Sequence, residues 1–286
     1  MTQVASNLKQ QEKAKKFYDL HHSGKLLILP NIWDPLGALL LEDLSFPAVA
    51  SASAAIAFTN GYDDGENIPF DSLLALLKKI VNSVNIPVSA DIESGFAQSD
   101  QQLIENIKQF LETGIVGINV EDTDKKTNSL LSVELACERI RLIKKTSEEM
   151  GISLFINSRT DVYIRGKGFD TPESKLEETL KRGSAYRNAG ADCFYPITMN
   201  REEDIKKTVD QLRMPVNVLV MDGIPKLNVL NEMGVARVSL GPGFLKTAIQ
   251  SMKNLAIKLQ NSEGITDIIE NEITSPYLKS LVNKIH

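Results

Sequence analysis

Residues 86–124 read IPVSADIESGFAQSDQQLIENIKQFLETGIVGINVEDTD. An apolar run at 87–90 ends in Asp91-Ile92-Glu93-Ser94-Gly95. A longer amphipathic segment follows and stops at Gly114, and a second apolar run at 117–120 ends in Glu121-Asp122. That is strand, helix, strand, with acidic residues where each strand stops. The same unit recurs outward in both directions, with further short runs at 26–29, 48–52, 153–156, 193–195, 216–220 and 237–240. Several are apolar throughout rather than alternating, as parallel strands covered on both faces should be. Asp34-Pro35 and Thr171-Pro172 are helix starts, an N-cap followed by proline in the first turn. Gly114, Gly151, Gly190 and Gly234 stand where helices need a C-terminal stop. Eight strands, each followed by a helical segment, predict an α/β chain closed into a single (β/α)8 TIM-type barrel. A doubly wound open sheet is the alternative, disfavoured because no G-x-G-x-x-G follows the first strand. The expected organisation is an N-terminal helix over 1–24, a barrel over 25–260 and a C-terminal tail over 261–286, interrupted by Pro276.

Composition narrows the function. The chain has 286 residues, 42% of them hydrophobic and 24% charged, with a formal net charge of −5 and a pI near 5.4. The absence of a basic block argues against nucleic acid as a partner, since phosphate neutralisation needs clustered Lys and Arg. No run approaches the roughly 18 apolar residues of a membrane span, and the N-terminal segment lacks the apolar core of an export signal. Two cysteines make no disulfide scaffold, so a reduced, cytoplasmic location is expected. His21 and His22 fall in a polar N-terminal stretch and His286 is the last residue. A histidine in the body of the barrel is therefore not expected. Ser-His-Asp and Cys-His hydrolases and zinc sites built on His drop out.

In a barrel of this kind the chemistry sits at the carboxyl ends of the strands. In order, those positions hold Asn31-Ile32-Trp33-Asp34, then Asn60-Gly61-Tyr62-Asp63-Asp64-Gly65, Asp91 with Glu93, Glu121-Asp122, and Asn157-Ser158-Arg159-Thr160-Asp161. Up to five carboxylates in one mouth repel by roughly 1–4 kcal/mol per close pair. A divalent cation relieves this, and all-oxygen ligands select Mg²⁺ or Mn²⁺. Arg159, ending the run LFINSR, carries the planar fork suited to a carboxylate or phosphonate. The polar loop 123–131, with Lys125, Lys126, Asn128 and Ser129, has the character of a lid. Gly241-Pro242-Gly243 reads better as a plain turn than as an anion cradle. Cys137, on one helix face with Val133, Ala136, Ile140 and Ile143, and Cys193, inside a strand, both read as core.

The series LLILPNIWDP, NGYDDGE, ADIESGF, GINVEDT, INSRTDV, AYRNAGAD and GVARVSLGPG resembles the isocitrate lyase / phosphoenolpyruvate mutase superfamily, in order, from about residue 26 to residue 257. The resemblance implies a Mg²⁺-binding barrel for small α-oxo acids or phosphonates, usually a homodimer or homotetramer with a swapped eighth helix. It implies Asp91 as direct metal ligand, with Glu93 and Glu121 reaching the metal, often through water. It also implies Asp64 as the acidic residue of the second-strand loop, Arg159 as the substrate arginine, and Lys126-Thr127-Asn128-Ser129-Leu130 as a phosphonomutase-type gating segment. Lys126 and Asn128 join Asp64 and Arg159 as candidate catalytic groups. Trp33, Ser51, Ala52, Ser53, Ser129 and Asn217 are candidate substrate-lining positions.

The departures are specific. The loop DTDKKTNSLLS lacks the Cys and His of the isocitrate and methylisocitrate lyases, Ala50 and Ala52 stand where phosphonomutases carry Trp and Ser, and Ile197 stands where they carry His. Glu93 replaces a commoner Asp. The expected activity is a Mg²⁺-dependent lyase or decarboxylase acting on a small α-oxo or α-hydroxy acid. The alternatives are a phosphonomutase or P–C hydrolase, and a barrel that binds an oxo acid without turnover.

Overall fold

The computed structural model describes residues 3–284, with side chains from residue 7 onward; His286 lies outside them. In chain order the elements are α1 (Gln3–His21), β1 (Leu27–Leu29), β2 (Asn31–Ile32), α2 (Pro35–Asp43), β3 (Val49–Ser51), α3 (Ser53–Thr59), α4 (Phe70–Ser83) and β4 (Val88–Asp91). Next come α5 (Asp100–Glu112), β5 (Gly117–Glu121), β6 (Thr123–Asp124), β7 (Ser129–Leu130), α6 (Val133–Glu149), β8 (Phe155–Thr160), α7 (Val162–Arg165) and α8 (Pro172–Ala189). The chain continues through β9 (Cys193–Pro196), α9 (Glu202–Leu212), β10 (Asn217–Leu219), α10 (Leu227–Glu232), β11 (Arg237–Ser239), α11 (Gly243–Gln260), α12 (Ile265–Ile269) and α13 (Ser275–Val282).

Two parallel ladders, β2-β3-β4-β5-β8-β9 and β1-β11-β10, make one closed ring. They join at one side because β1 and β2 are a single strand broken at Pro30, which has no N–H to give a ladder yet accepts from the Ala50 amide at 3.0 Å. They join at the other through the bridge Phe194–Val216. The result is the eight-stranded barrel the alternation predicts. The first strand runs on to Ile32 rather than stopping at 29, and the fifth reaches Thr160 rather than 156, so Arg159 lies on the strand itself. The predicted caps form: the Asp34 carboxylate accepts from the Gly37 amide at 2.7 Å, and Thr171 and Ser174 build a reciprocal capping box. Gly190 closes α8 at φ 106°, a left-handed turn that only glycine adopts freely.

Pro276 does not interrupt the tail as expected; it sits in the first turn of α13 behind the Thr274 cap, where its missing amide is no loss. α13 folds back on α2 of the same chain, with the Tyr277 hydroxyl donating to Asp43 at 2.9 Å. Helix α1 plugs the amino-terminal end of the barrel, where Phe17 packs with Leu27, Leu29, Ala48, Phe155 and Cys193. A Cβ on Gly117 would lie 2.7 Å from the Phe17 ring, so the plug requires glycine there.

His21 departs most from expectation. It is buried, not in a polar stretch; its ring stacks on Phe155 at 4.1 Å and its Nδ1 bonds the Phe17 carbonyl at 2.8 Å. The helix that looked polar overall turns its few large apolar residues, and this ring, onto the barrel floor. Burial first, and the Arg237 charge second, push the imidazole pKa down to about 3. Unfolding releases it to about 6.5, so its contribution is present above pH 6.5 and is lost as pH falls toward 3. We expect about 3 kcal/mol of stability to disappear between pH 7 and pH 4 through this residue alone. Denaturant titrations at those two pH values should show the loss in the wild type and a smaller one in His21→Leu. An equal loss in both would remove His21 as the cause.

Candidate active site

The carboxyl ends of β4, β5 and β8 lie side by side, with Asp91 in register with Asn119 and Glu121 in register with Arg159. Asp91 is fixed by its neighbours: its Oδ2 accepts from the Ser53 hydroxyl at 2.9 Å, its Oδ1 accepts from the Glu93 amide at 3.3 Å, and its own amide donates to Ser51 Oγ at 3.0 Å. Glu93 adopts a left-handed φ of 51°, a strained conformation for a side-chain-bearing residue. It is held there because its carbonyl accepts from the Glu121 amide at 2.8 Å and its Oε1 accepts from the Glu66 amide at 2.8 Å. Glu66 in turn binds the Ser94 amide, the Ser94 hydroxyl and the Phe96 amide with one oxygen, fastening the whole turn after β4.

Glu121 is buried and faces two cations, Lys125 at 2.7 Å and Arg159 Nη1 at 3.1 Å. Arg159 is also gripped by Asp161, Nε to Oδ1 at 2.6 Å and Nη2 to Oδ2 at 3.1 Å. Burial opposes charge on Arg159, but Glu121 and Asp161 outweigh it and hold the guanidinium firmly protonated. Burial pushes the Glu93 carboxyl up to about 7 against the pull of Lys125 and pushes Glu121 up against Arg159. Asp64, exposed on its loop, has its pKa raised by the shielding of the mouth and then by the Asp91 charge. Perturbed acids gathered at strand ends in this way mark a candidate site.

The structure brings Asp91, Glu93, Glu121, Arg159, Ser51 and Ser53 into one neighbourhood, with Asp64 within electrostatic reach. Ala52 lies there too, buried at the N-cap of α3. Asn217 is inside the barrel, both of its amide atoms used by Ser239 Oγ at 3.0 and 3.1 Å. Trp33 is half-buried and packs on Ala52, Ala55 and Leu245. The segment expected to be a lid folds as a short antiparallel hairpin, β6 with β7, not an open loop. It turns Lys126 and Asn128 to solvent and leaves Ser129 half-buried, bonded to Thr127. Asn128 is held by Arg165 through its Oδ1. The inward lysine is Lys125, bridging Glu93 at 2.8 Å and Glu121 at 2.7 Å.

One expected mouth carboxylate is misplaced, and two arginines escaped the sequence reading. Asp122 does not face the mouth: buried, it accepts from Arg182 at 3.0 Å, Tyr186 at 2.6 Å, Thr160 at 2.6 Å and the Asp161 amide at 2.9 Å. Arg165 reaches Asp161 at 3.2 Å. Arg237 is fully buried on β11, donating to Ser239 at 3.0 Å and Asn119 at 3.3 Å. Cys137 and Cys193 are buried as read, and burial pushes the Cys193 thiol up to about 12, which no nucleophile tolerates.

Among the described residues no three His, Cys, Asp or Glu side chains converge tightly enough to enclose a metal ion by themselves. The donor set is nonetheless all oxygen, and a cationic ammonium already rests between Glu93 and Glu121. Those features fit a hard divalent ion that keeps several of its waters, as Mg²⁺ does.

An acidic strand-end cluster with a buttressed arginine, on a closed (β/α)8 barrel, is the arrangement of a barrel enzyme. The sequence model of the phosphoenolpyruvate phosphomutase family matches residues 17–260, and the chain belongs to the phosphoenolpyruvate mutase/isocitrate lyase superfamily of enzymes. An uncharacterized protein of Mycobacterium tuberculosis (strain CDC 1551 / Oshkosh) is 31% identical over 225 residues, 79% of this chain and 81% of its own length. The 2-methylisocitrate lyase of Bacillus subtilis (strain 168) is 25% identical, over 72% of this chain and 67% of that protein. A candidate phosphonomutase structure from Burkholderia cenocepacia J2315 superposes with TM-score 0.80 at 34% identity, covering 87% of this chain and 99% of its own. A phosphonopyruvate hydrolase solved with oxalate and Mg²⁺ shares the fold, with TM-score 0.82 at 20% identity and 95% of each chain. No helix among the described residues is long and apolar enough to cross a membrane.

Proposed function

We propose that the chain is a Mg²⁺-dependent lyase or decarboxylase that breaks a C–C bond of a small α-oxo or α-hydroxy carboxylic acid. The observation that carries this reading is the Arg159 guanidinium, clamped by Asp161 and Glu121 beside Asp91 and Glu93, with no histidine or reactive cysteine at the described mouth. A divalent cation held by Asp91, with Glu93 and Glu121 behind water, would supply Lewis acidity toward the substrate's α-oxygen. Arg159 holds a substrate carboxylate in its fixed fork and balances the charge that grows as the bond breaks. Ser51, Ala52 and Ser53 shape the wall against Asp91, with Asn217 beneath. Asp64, with its raised pKa, handles the proton from the second-strand loop. The hairpin, bringing Lys126, Asn128 and Ser129, excludes water when it closes. Exposed Ile249, Met252 and Ile257 on α11 support a homodimer or homotetramer in which that helix packs on a neighbouring barrel. Neither nucleic acid nor a membrane figures in this reading, and the cytoplasm suits its thiols.

The test is product analysis by mass spectrometry on oxaloacetate, substituted malates, 2-methylisocitrate, phosphoenolpyruvate and phosphonopyruvate, with Mg²⁺ or with EDTA. We expect Mg²⁺-dependent pyruvate or another short oxo acid from a carbon acid, abolished by EDTA. No carbon product with any of the carbon acids would count against the lyase.

A second reading, phosphonomutase or P–C hydrolase, is favoured by the Lys126-Thr127-Asn128-Ser129-Leu130 segment at the hairpin, where Lys126 and Asn128 could grip a phosphoryl group. The two residues' outward orientation weighs against it. Phosphorus NMR of the enzyme with phosphonopyruvate decides: an unchanged phosphonate signal ends this alternative.

A further inference from the structure

The hairpin lysine occupies the heart of the acidic site. Lys125 Nζ lies 2.8 Å from Glu93 Oε2 and 2.7 Å from Glu121 Oε1. The other oxygens of the two carboxylates are already engaged, Glu93 Oε1 by the Glu66 amide and Glu121 Oε2 by Arg159. The inner pair of oxygens is therefore the pair open to a cation, and the ammonium fills it. Lys125 arrives there from a two-by-two-residue hairpin, too short to be stable alone. Besides its own ladder the hairpin is tied down by Lys125, by Thr123 to Asp161 at 3.0 Å and by Asn128 to Arg165.

We propose that Lys125 is the resident cation of this site: it neutralises Glu93 and Glu121 when the site holds no metal, and a loading divalent ion expels it and so releases the hairpin. This rests on the reading of Asp91, Glu93 and Glu121 as the metal site. An ammonium and a hydrated dication held at Asp91 compete for the same two inner oxygens, because their charges would lie a few ångströms apart where little water screens them. The expelled lysine takes the tip with it, since Lys125 begins the turn that carries Lys126, Thr127 and Asn128. Metal occupancy and the position of the lid are thereby coupled with opposite signs: metal in, tether broken. An ordinary metal-binding loop does the reverse and tightens on its ion.

Two readouts test this without any substrate. Isothermal titration of Mg²⁺ onto Lys125→Gln should show binding about tenfold or more tighter than wild type, because the competing cation is gone. Lys126→Gln, which removes an exposed charge one residue along, should stay within about twofold. Limited trypsinolysis should find the wild-type hairpin tip cut faster with Mg²⁺ than with EDTA, and Lys125→Gln cut at Lys126 at the fast rate under both conditions. Equal Mg²⁺ affinity in wild type and Lys125→Gln, or protection of the wild-type tip by Mg²⁺, overturns the proposal and leaves the metal site standing. Absence of Mg²⁺ binding to all three proteins overturns both.

Discussion

Arg159→Lys is expected to fold and to bind Mg²⁺, yet to lose about 100- to 1,000-fold in kcat/KM on the true substrate. The charge survives the exchange, but the geometry does not. Arg159 spends Nε and Nη2 on Asp161 at 2.6 and 3.1 Å and Nη1 on Glu121 at 3.1 Å. One ammonium cannot keep three such directions at once, so the cation swings toward one carboxylate and ceases to present a planar face to the substrate. Arg159→Ala goes further, leaving buried Asp161 and Glu121 without their shared counter-ion. It should lose stability as well as turnover, by about 3–5 kcal/mol. Steady-state kinetics with the product assay, beside thermal melts of both variants, separate the two effects. Wild-type kcat/KM in Arg159→Lys would show that the arginine only balances charge.

The barrel was legible because its period is: apolar runs, helical segments and glycine stops repeat, and strand ends announce themselves with Asp91, Glu93, Glu121 and Arg159. What the residues could not convey is which way a side chain leaves a short or irregular piece of chain. Lys125 and Lys126 are chemically identical, and only the pairing of β6 with β7 decides that the first faces Glu93 and Glu121. Asp122 directly follows Glu121 and looks like another mouth carboxylate, but strand alternation turns it outward to the helix layer, onto Arg182 and Tyr186. His21 looked solvated because the helix around it is charged; its burial depends on Phe17 and Phe155 meeting across more than 130 residues of chain. Trp33, beside a strand end, packs on Leu245 of α11 and borders a cavity that Tyr277 and Leu281 of the returning α13 also line, a tertiary setting that no local pattern encodes.

Asp122→Ala is expected to destabilise the fold as strongly as Arg159→Ala, by about 3–5 kcal/mol, although Asp122 touches no substrate. Its two oxygens accept from Arg182, Tyr186, the Thr160 hydroxyl and the Asp161 amide, tying α8 to the end of β8. Burial pushes its proton affinity up, and Arg182 with those hydrogen bonds offsets only part of that, so the carboxylate is tolerable only while all of them hold. Removal strands Arg182, buried and otherwise held by Glu178 at 2.8 Å and the Leu131 carbonyl at 3.0 Å. In a chain of this size the loss should lower the melting temperature by roughly 6–20 °C. The double variant Asp122→Ala with Arg182→Met should recover part of it, because the buried guanidinium is gone and Glu178 keeps Lys181 at 3.5 Å. Mg²⁺ affinity should change little, since Asp91, Glu93 and Glu121 keep their own supports. The damage to turnover should appear in kcat, through the loosened Asp161 that aims Arg159. An unchanged melting temperature in Asp122→Ala would mean that α8 is anchored elsewhere and that Arg159 is not positioned through this network.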